Sequence, residues 1–256
     1  MSNATTPDAP RQLRLGGRDY VPVIREHLRA EILKGHLIPG SEISQAQVAV
    51  LFGVSRGPVR ESFRLLEREG LLEARVNRRA RITDLSVNDL EHLYTLRVLN
   101  ESVALEVSVP SFTPRELVEL DELSEELKHT DVVTFDFEMW DEVHQRFHLL
   151  LLAHSGSKML GSAAEWAAHT QRYRRAYAED GRGLPQGAGE HAILARLCRD
   201  GDAGKAARLM ALHLSRAALT LIAQMTPTHD PVLLRTAIRQ VVGAGEQRSA
   251  GRPVPC

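Results

Sequence analysis

Val54-Ser55-Arg56-Gly57-Pro58-Val59-Arg60-Glu61 is the stretch that decides how the first third of this chain folds. Ser55 is a helix N-cap residue, and Pro58 suits a first helical turn, where the amides donate no internal bond. Val59, Phe63 and Leu66 follow with helical spacing on one face, and Gly70 ends the helix. Arg56, Arg60, Arg64 and Arg68 recur every fourth residue on the opposite face. Backwards from here, Gly53 closes a second helix that opens at Ser44, where Ser44-Gln45-Ala46-Gln47 fits a capping box. A helix from about Val21 to Gly35 precedes it, with Ile24, Leu28 and Ile32 as its apolar face and Pro39-Gly40 as the turn after it. Forwards, Leu72–Val76 and Ala80–Thr83 are short strand-like runs joined by Asn77-Arg78-Arg79. Helix, helix, glycine turn, helix and hairpin make a winged helix-turn-helix over residues 18–84.

The rest of the chain has a different character. Ser86-Val87-Asn88-Asp89 can cap a new helix, and Thr113-Pro114-Arg115-Glu116 is a strong helix start. Strand signals are missing from there on, so residues 85–242 should form an all-helical bundle of six or seven helices. Residues 1–17 read as a disordered arm and 243–256 as a flexible tail, both rich in Gly, Pro and polar residues. The expected fold class is therefore mainly α.

Composition narrows the function classes. The chain has 256 residues, 43% hydrophobic and 25% charged, which is ordinary globular composition. Two cysteines cannot build a disulfide framework, no uninterrupted apolar run approaches a bilayer span, and the first residues do not resemble a secretory signal. A cytoplasmic protein is expected. Net charge is −1, but residues 1–85 carry 14 Lys+Arg against 10 Asp+Glu, and the remainder is net acidic. A basic front joined to an acidic back suits a nucleic-acid-binding module attached to something else.

The arginine face has a direct chemical use. The N-terminal end of a recognition helix reaches base edges in the major groove, and Arg pairs two-toothed with guanine O6 and N7. The helix N-terminus and the Ser55 hydroxyl suit a phosphate. Arg78, Arg79 and Arg81 fall at the hairpin tip, where a wing meets the backbone or minor groove. The competing reading is a solvated arginine helix partnered by Glu61, Glu67 and Glu69.

In the second half, His144 and His148 are four apart on an expected helix. His191 and His213 lie 22 residues apart, on two helices that could fold back at Gly201-Asp202. Four converging imidazoles would suit Zn²⁺, Ni²⁺ or a similar divalent ion. The competing reading is that each histidine packs or solvates separately; His92, His129, His154, His169 and His229 are read that way.

Residues 32–82 resemble the winged-helix domain of the GntR family of bacterial transcription factors. The carriers are Ile38-Pro39-Gly40, Phe52-Gly53-Val54-Ser55-Arg56, Pro58-Val59-Arg60-Glu61 and Leu65-Leu66-Glu67-Arg68-Glu69-Gly70-Leu71-Leu72. The resemblance implies that Arg56 and Arg60 contact an operator, with Ser55 and Gly57 near phosphates. Three positions depart from the family pattern: Gly57 stands for a Thr, Ala46 for an Arg and Arg79 for a Gly. Residues 87–222 resemble the FCD ligand-binding domain of the FadR-like branch. Tyr94, Arg97 and Glu101, Phe147-His148, Ser155-Gly156, Glu190-His191 and Gly201-Asp202 through His213-Leu214 carry this likeness. It implies a metal held by an Asp and three His. His148, His191 and His213 match the three, and His144 stands where the Asp is usual, either as a fourth ligand or as an effector contact beside three His ligands. Arg97 matches a position that often meets an acidic effector, whereas Arg172, Arg174 and Arg175 read mostly as a solvated face.

An enzyme lacks its parts here: there is no His-Glu-x-x-His, no phosphate loop and no Gly-x-Ser-x-Gly elbow. A bundle serving only dimerisation is a third possibility. The expectation is a homodimeric regulator, more often a repressor in such a plan, on pseudo-palindromic double-stranded operator DNA. A small carboxylate effector would bind at or near a metal in the bundle, with no membrane partner.

Overall fold

The computed structural model describes residues 19–75, 79–128, 136–178 and 184–250. The expected arm at 1–17, Arg78 at the wing tip, His129 and the last six residues lie outside them. The chain divides into two compact units, Met1–Leu85 and Ser86–Cys256.

The first unit runs α1 (Tyr20–Leu33), β1 (Glu42–Ser44), α2 (Gln45–Phe52), α3 (Arg56–Arg68), β2 (Leu72–Arg75) and β3 (Arg79–Ile82). Ile24, Leu28 and Ile32 of α1 bury against Val59, Phe63 and Leu66 of α3, as the periodicity requires. The helix ends are held by local chemistry. Ser44 Oγ accepts from the Ala46 amide at the start of α2. Gly53 closes α2 with φ 63°, a left-handed conformation that costs a side chain about 1–2 kcal/mol. The Val54 amide then donates back to Ala49 O at 3.0 Å, so α3 leaves the turn at a fixed angle. Glu69, at the end of α3, receives Arg25 and Arg29 of α1, and the Ser62 hydroxyl donates to Val21 O.

The wing is a three-stranded sheet in the order β1-β3-β2, both pairs antiparallel. The sequence predicts only the β2–β3 hairpin. Glu42-Ile43-Ser44 pairs with Ala80 and its neighbours, but three residues are too few to show alternation.

The second unit contains seven α-helices among the described residues and no strand: α4 (Val87–Ser108), α5 (Pro114–Lys128), α6 (Phe137–Leu151), α7 (Ser157–Ala178), α8 (Leu184–Arg199), α9 (Ala203–Met225) and α10 (Val232–Ala250). Thr113 and Glu116 make the reciprocal cap expected at α5, the Thr113 amide donating to Glu116 Oε2 at 2.8 Å. The flexible tail expected from 243 is corrected in part, since α10 continues to Ala250. Gly costs a helix only about 1 kcal/mol, and the first proline that would stop it is Pro253. Central α4 packs against α7, α9 and α10, and Ala206, Ala207, Ala211 and Ala218 let α9 approach closely. Among the described residues α9 alone is long and apolar enough to cross a bilayer, yet 56% of that stretch is packed inside the bundle. Uninterrupted apolar runs in α9 are short, because Lys205, Arg208, His213, Ser215, Arg216 and Thr220 break them while the helix as a whole stays apolar.

Glu91 of α4 holds α10 in place. Its Oε1 accepts from the Leu233 and Leu234 amides at 2.8 and 3.2 Å, and Oε2 lies 2.6 Å from His229 Nε2. Burial pulls its pKa up, but His229 and the two amides outweigh burial and lower it. The resulting stability is present above the usual 4.5 and is lost as pH falls through the lowered folded value. Glu91→Gln is expected to cost about 1 kcal/mol in urea unfolding at neutral pH, with the gap to wild type closing in acid.

Candidate functional site

The DNA-reading candidates stand on the outer face of α3. Ser55, Arg56, Gly57 and Arg60 are all exposed. Ser55 occupies the N-cap position without a capping bond from its side chain, so its hydroxyl is not committed to the helix. Neither Arg56 nor Arg60 has an acid partner among the described residues. Glu61 faces Arg64 at 3.7 Å, and Glu69 is turned inward to α1, so neither acid meets Arg56 or Arg60. The helix N-terminus therefore presents two free guanidiniums beside exposed amides that favour an anion.

The wing arginines differ. Arg79 meets Glu42 at 2.9 Å, and Arg81 meets Asp84 at 2.8 Å while donating to Gly40 O. Both brace the sheet, so they offer less to a nucleic acid than their number suggests. Gly57 has open space: a Cβ there would meet nothing closer than Ser55 Oγ at 3.7 Å. Gly57→Thr is thus expected to fold normally and, by one added phosphate bond worth about 1 kcal/mol, to tighten duplex DNA binding about fivefold in fluorescence anisotropy.

In the second unit, α6 supplies His144 and His148, α8 supplies His191 and α9 supplies His213. All four are buried, and one nitrogen of each lies within 4.8 Å of the others. The two expected pairs thus meet in one place. Ring centroids are 4.5 Å apart for His144 and His148 and 4.7 Å for His191 and His213. Trp140 stacks on His144 at 4.6 Å, and Phe147 packs edge-on to His191.

The protonation chemistry suits a cation. Burial, followed by neighbouring positive or potentially positive groups, pushes His144 and His191 well below the ordinary imidazole value, and burial takes His148 down to about 4 against the upward pull of Glu101. Neutral rings keep a lone pair to give. His144 Nδ1 and both nitrogens of His148 and His191 are buried without a hydrogen-bond partner. Each such group costs about 1–3 kcal/mol when left unmet, and a shared cation would meet one nitrogen of each ring. His213 Nδ1 lies 2.8 Å from Glu190, a contact that turns Nε2 toward the cluster as in second-layer carboxylates of metal sites. The residues present therefore fit a divalent transition ion.

Around the cluster lie charges whose pairing the sequence does not show. Arg97 is 1% exposed, and all three of its guanidinium nitrogens are engaged: Nε and Nη2 with Glu101, Nη1 with Thr170. Burial alone would raise Glu101; Arg97 and His148 outweigh it and hold the carboxyl at about 2. His148 Nδ1 stands 3.5 Å from Glu101, too long for a well-formed hydrogen bond but close enough for electrostatic pull. The expectation that Arg172, Arg174 and Arg175 face solvent is corrected for the first two. Arg172 is buried against Asp89, and Arg174 binds buried Asp141 at 2.7 Å and shares Thr170 with Arg97. Arginine has no period that marks it as buried, and these partners lie 83 and 33 residues away.

A winged head with a free cationic helix tip, and a helical bundle enclosing a histidine cage, define a class of two-unit regulators. The profile described as bacterial regulatory proteins, gntR family, matches residues 22–82, and the FCD domain profile matches residues 92–216. The chain belongs to the GntR family, with an N-terminal gntR domain and a C-terminal FCD domain. It is 36% identical over 139 residues to the uncharacterized HTH-type transcriptional regulator YdhC of Bacillus subtilis, covering 54% of this chain and 62% of that protein. It is 27% identical to the uncharacterized HTH-type transcriptional regulator BphR of Paraburkholderia xenovorans, covering 77% of this chain and 83% of that one. Among solved structures, E. coli McbR/YncC superposes with a TM-score of 0.69 at 19% identity, covering 82% of this chain and all of its own, a likeness of fold. The first two are described as HTH-type transcriptional regulators.

Proposed function

We propose that the protein is a metabolite-responsive transcription regulator that binds a pseudo-palindromic operator as a homodimer. The observation that carries this is the pair of unpartnered, exposed arginines, Arg56 and Arg60, beside the uncommitted Ser55 hydroxyl at the tip of α3. Arg56 and Arg60 would read base edges, Ser55 and the Gly57 backbone would meet phosphates, and Arg78, Arg79 and Arg81 would line the wing's path along the duplex. Two-fold pairing of chains would set two such tips on two half-sites. Repression is favoured over activation because one relative, from Paenarthrobacter nicotinovorans, is described as a probable D-xylose utilization operon transcriptional repressor.

His144, His148, His191 and His213 would hold the metal, Zn²⁺ or Ni²⁺ by the nitrogen-only donor set. Bound there, the ion would supply a Lewis-acidic anchor for an acidic effector. Arg97, fully engaged by Glu101 and Thr170, would act on that effector through Glu101 rather than by its own fork. Effector binding would change operator affinity to the extent that the effector favours one state of the protein over another.

Selection of bound duplexes from a random pool by the purified chain tests the reading. Enrichment of a two-fold symmetric consensus is expected. A pool that stays random through successive rounds would overturn it.

A further inference from the structure

The histidine cage has a charge balance of its own. Among the described residues three carboxylates border it, and each already has an arginine: Glu101 with Arg97, Asp141 with Arg174, and Glu190 with Arg216. These pairs cancel. The four ligand candidates are imidazoles, which must be neutral to bind a metal. A divalent ion at their centre therefore brings two positive charges that nothing around it offsets. His144 is the residue responsible, because a carboxylate at that position would remove one of them. Uncompensated charge in a buried site is strongly disfavoured, so the balance has to come from outside the chain. Four nitrogens also leave two positions on a six-coordinate ion, enough for a ligand with two donor atoms.

We infer that the cage selects a small chelating dianion, a short dicarboxylate, over a monoanion of similar size, and by more than a free divalent ion does. The inference rests on the metal reading above and adds the charge of the ligand to it. Chelation alone already favours malonate over monomethyl malonate and lactate, because a second carboxylate is a stronger donor than an ester carbonyl or a hydroxyl; the cage adds a preference beyond that of the free ion. The excess charge supplies it, and His144 sets that charge.

The test uses the full-length chain loaded with Ni²⁺. Metal content is measured by elemental analysis before and after calorimetric titration with malonate, monomethyl malonate and lactate. Wild type is expected to retain about one ion per chain and to prefer malonate over either monoanion about tenfold more strongly than free Ni²⁺ does in the same titration. His144→Asp, which adds one negative charge, should shrink that preference by about tenfold. His144→Asn, which adds none, should keep it. Should the aspartate variant fail to fold, the preference of wild type set against that of free Ni²⁺ gives the comparison. Loaded protein whose preference for malonate is no larger than that of free Ni²⁺ would overturn the inference and leave the metal reading standing. Equal preference in the folded aspartate variant and in wild type would do the same. A wild-type chain that takes up no metal would overturn both, and elemental analysis alone would show it.

Discussion

His191→Ala and His213→Ala, combined in one chain, are expected to yield purified protein without a bound transition ion, against about one per chain in wild type. The reason is where the ligands come from. His144 and His148 share α6, while His191 and His213 arrive separately from α8 and α9. Removing the latter two leaves one helical pair, too few donors to hold an ion through purification. The effect on stability should be as plain. A ligand present at about a thousand times its Kd stabilises the folded state by about 4 kcal/mol. Wild type should therefore melt markedly lower after chelator treatment, while the double variant should be indifferent to it. Elemental analysis beside thermal melts reads both. Equal metal content in the two proteins would end the metal reading. A circular dichroism spectrum unchanged in the variant separates loss of ligands from loss of fold.

The second large effect is expected at Arg60. Arg60→Ala should cost about 1–3 kcal/mol of operator affinity, a fall of about 5- to 150-fold, and should relax the base preference at one position of each half-site. Arg60 is exposed and has no acid partner among the described residues, so its removal leaves no unmatched charge in the fold. The fold should survive because Val59, Phe63 and Leu66, which hold α3 to α1, are on the other face. Ser55→Ala makes the contrast. A hydroxyl lost from a phosphate contact should weaken all duplexes alike and leave discrimination unchanged. An Arg60→Ala protein that separates operator from scrambled duplex as well as wild type does would contradict the assignment.

The features that were legible in the sequence are local ones. Gly53, Ser55 and Gly70 punctuate the helices of the first unit, and the four-residue spacing of Arg56, Arg60, Arg64 and Arg68 declares an outer face. The histidines were legible in part for the same reason: His144 and His148 must share a face of α6, and a helical hairpin at Gly201 can return His213 toward His191. What stayed hidden depends on partners far along the chain. Arg97 looks like an available fork until Thr170, 73 residues later, and Glu101 take up its nitrogens. Asp141 had no role until Arg174 arrived from α7. β1 is a strand only because β3 lies beside it. Trp140 could have been found: it stands four residues before His144 on the same helical face, where stacking is the natural outcome.

Gel-shift titration at fixed salt, comparing the region upstream of the protein's own gene with a scrambled duplex of equal length and composition, tests the DNA-reading assignment most directly. The upstream region should bind about a thousandfold or more tightly than the scrambled duplex. Equal affinity for both, with and without bound metal, would contradict a sequence-reading head on this chain.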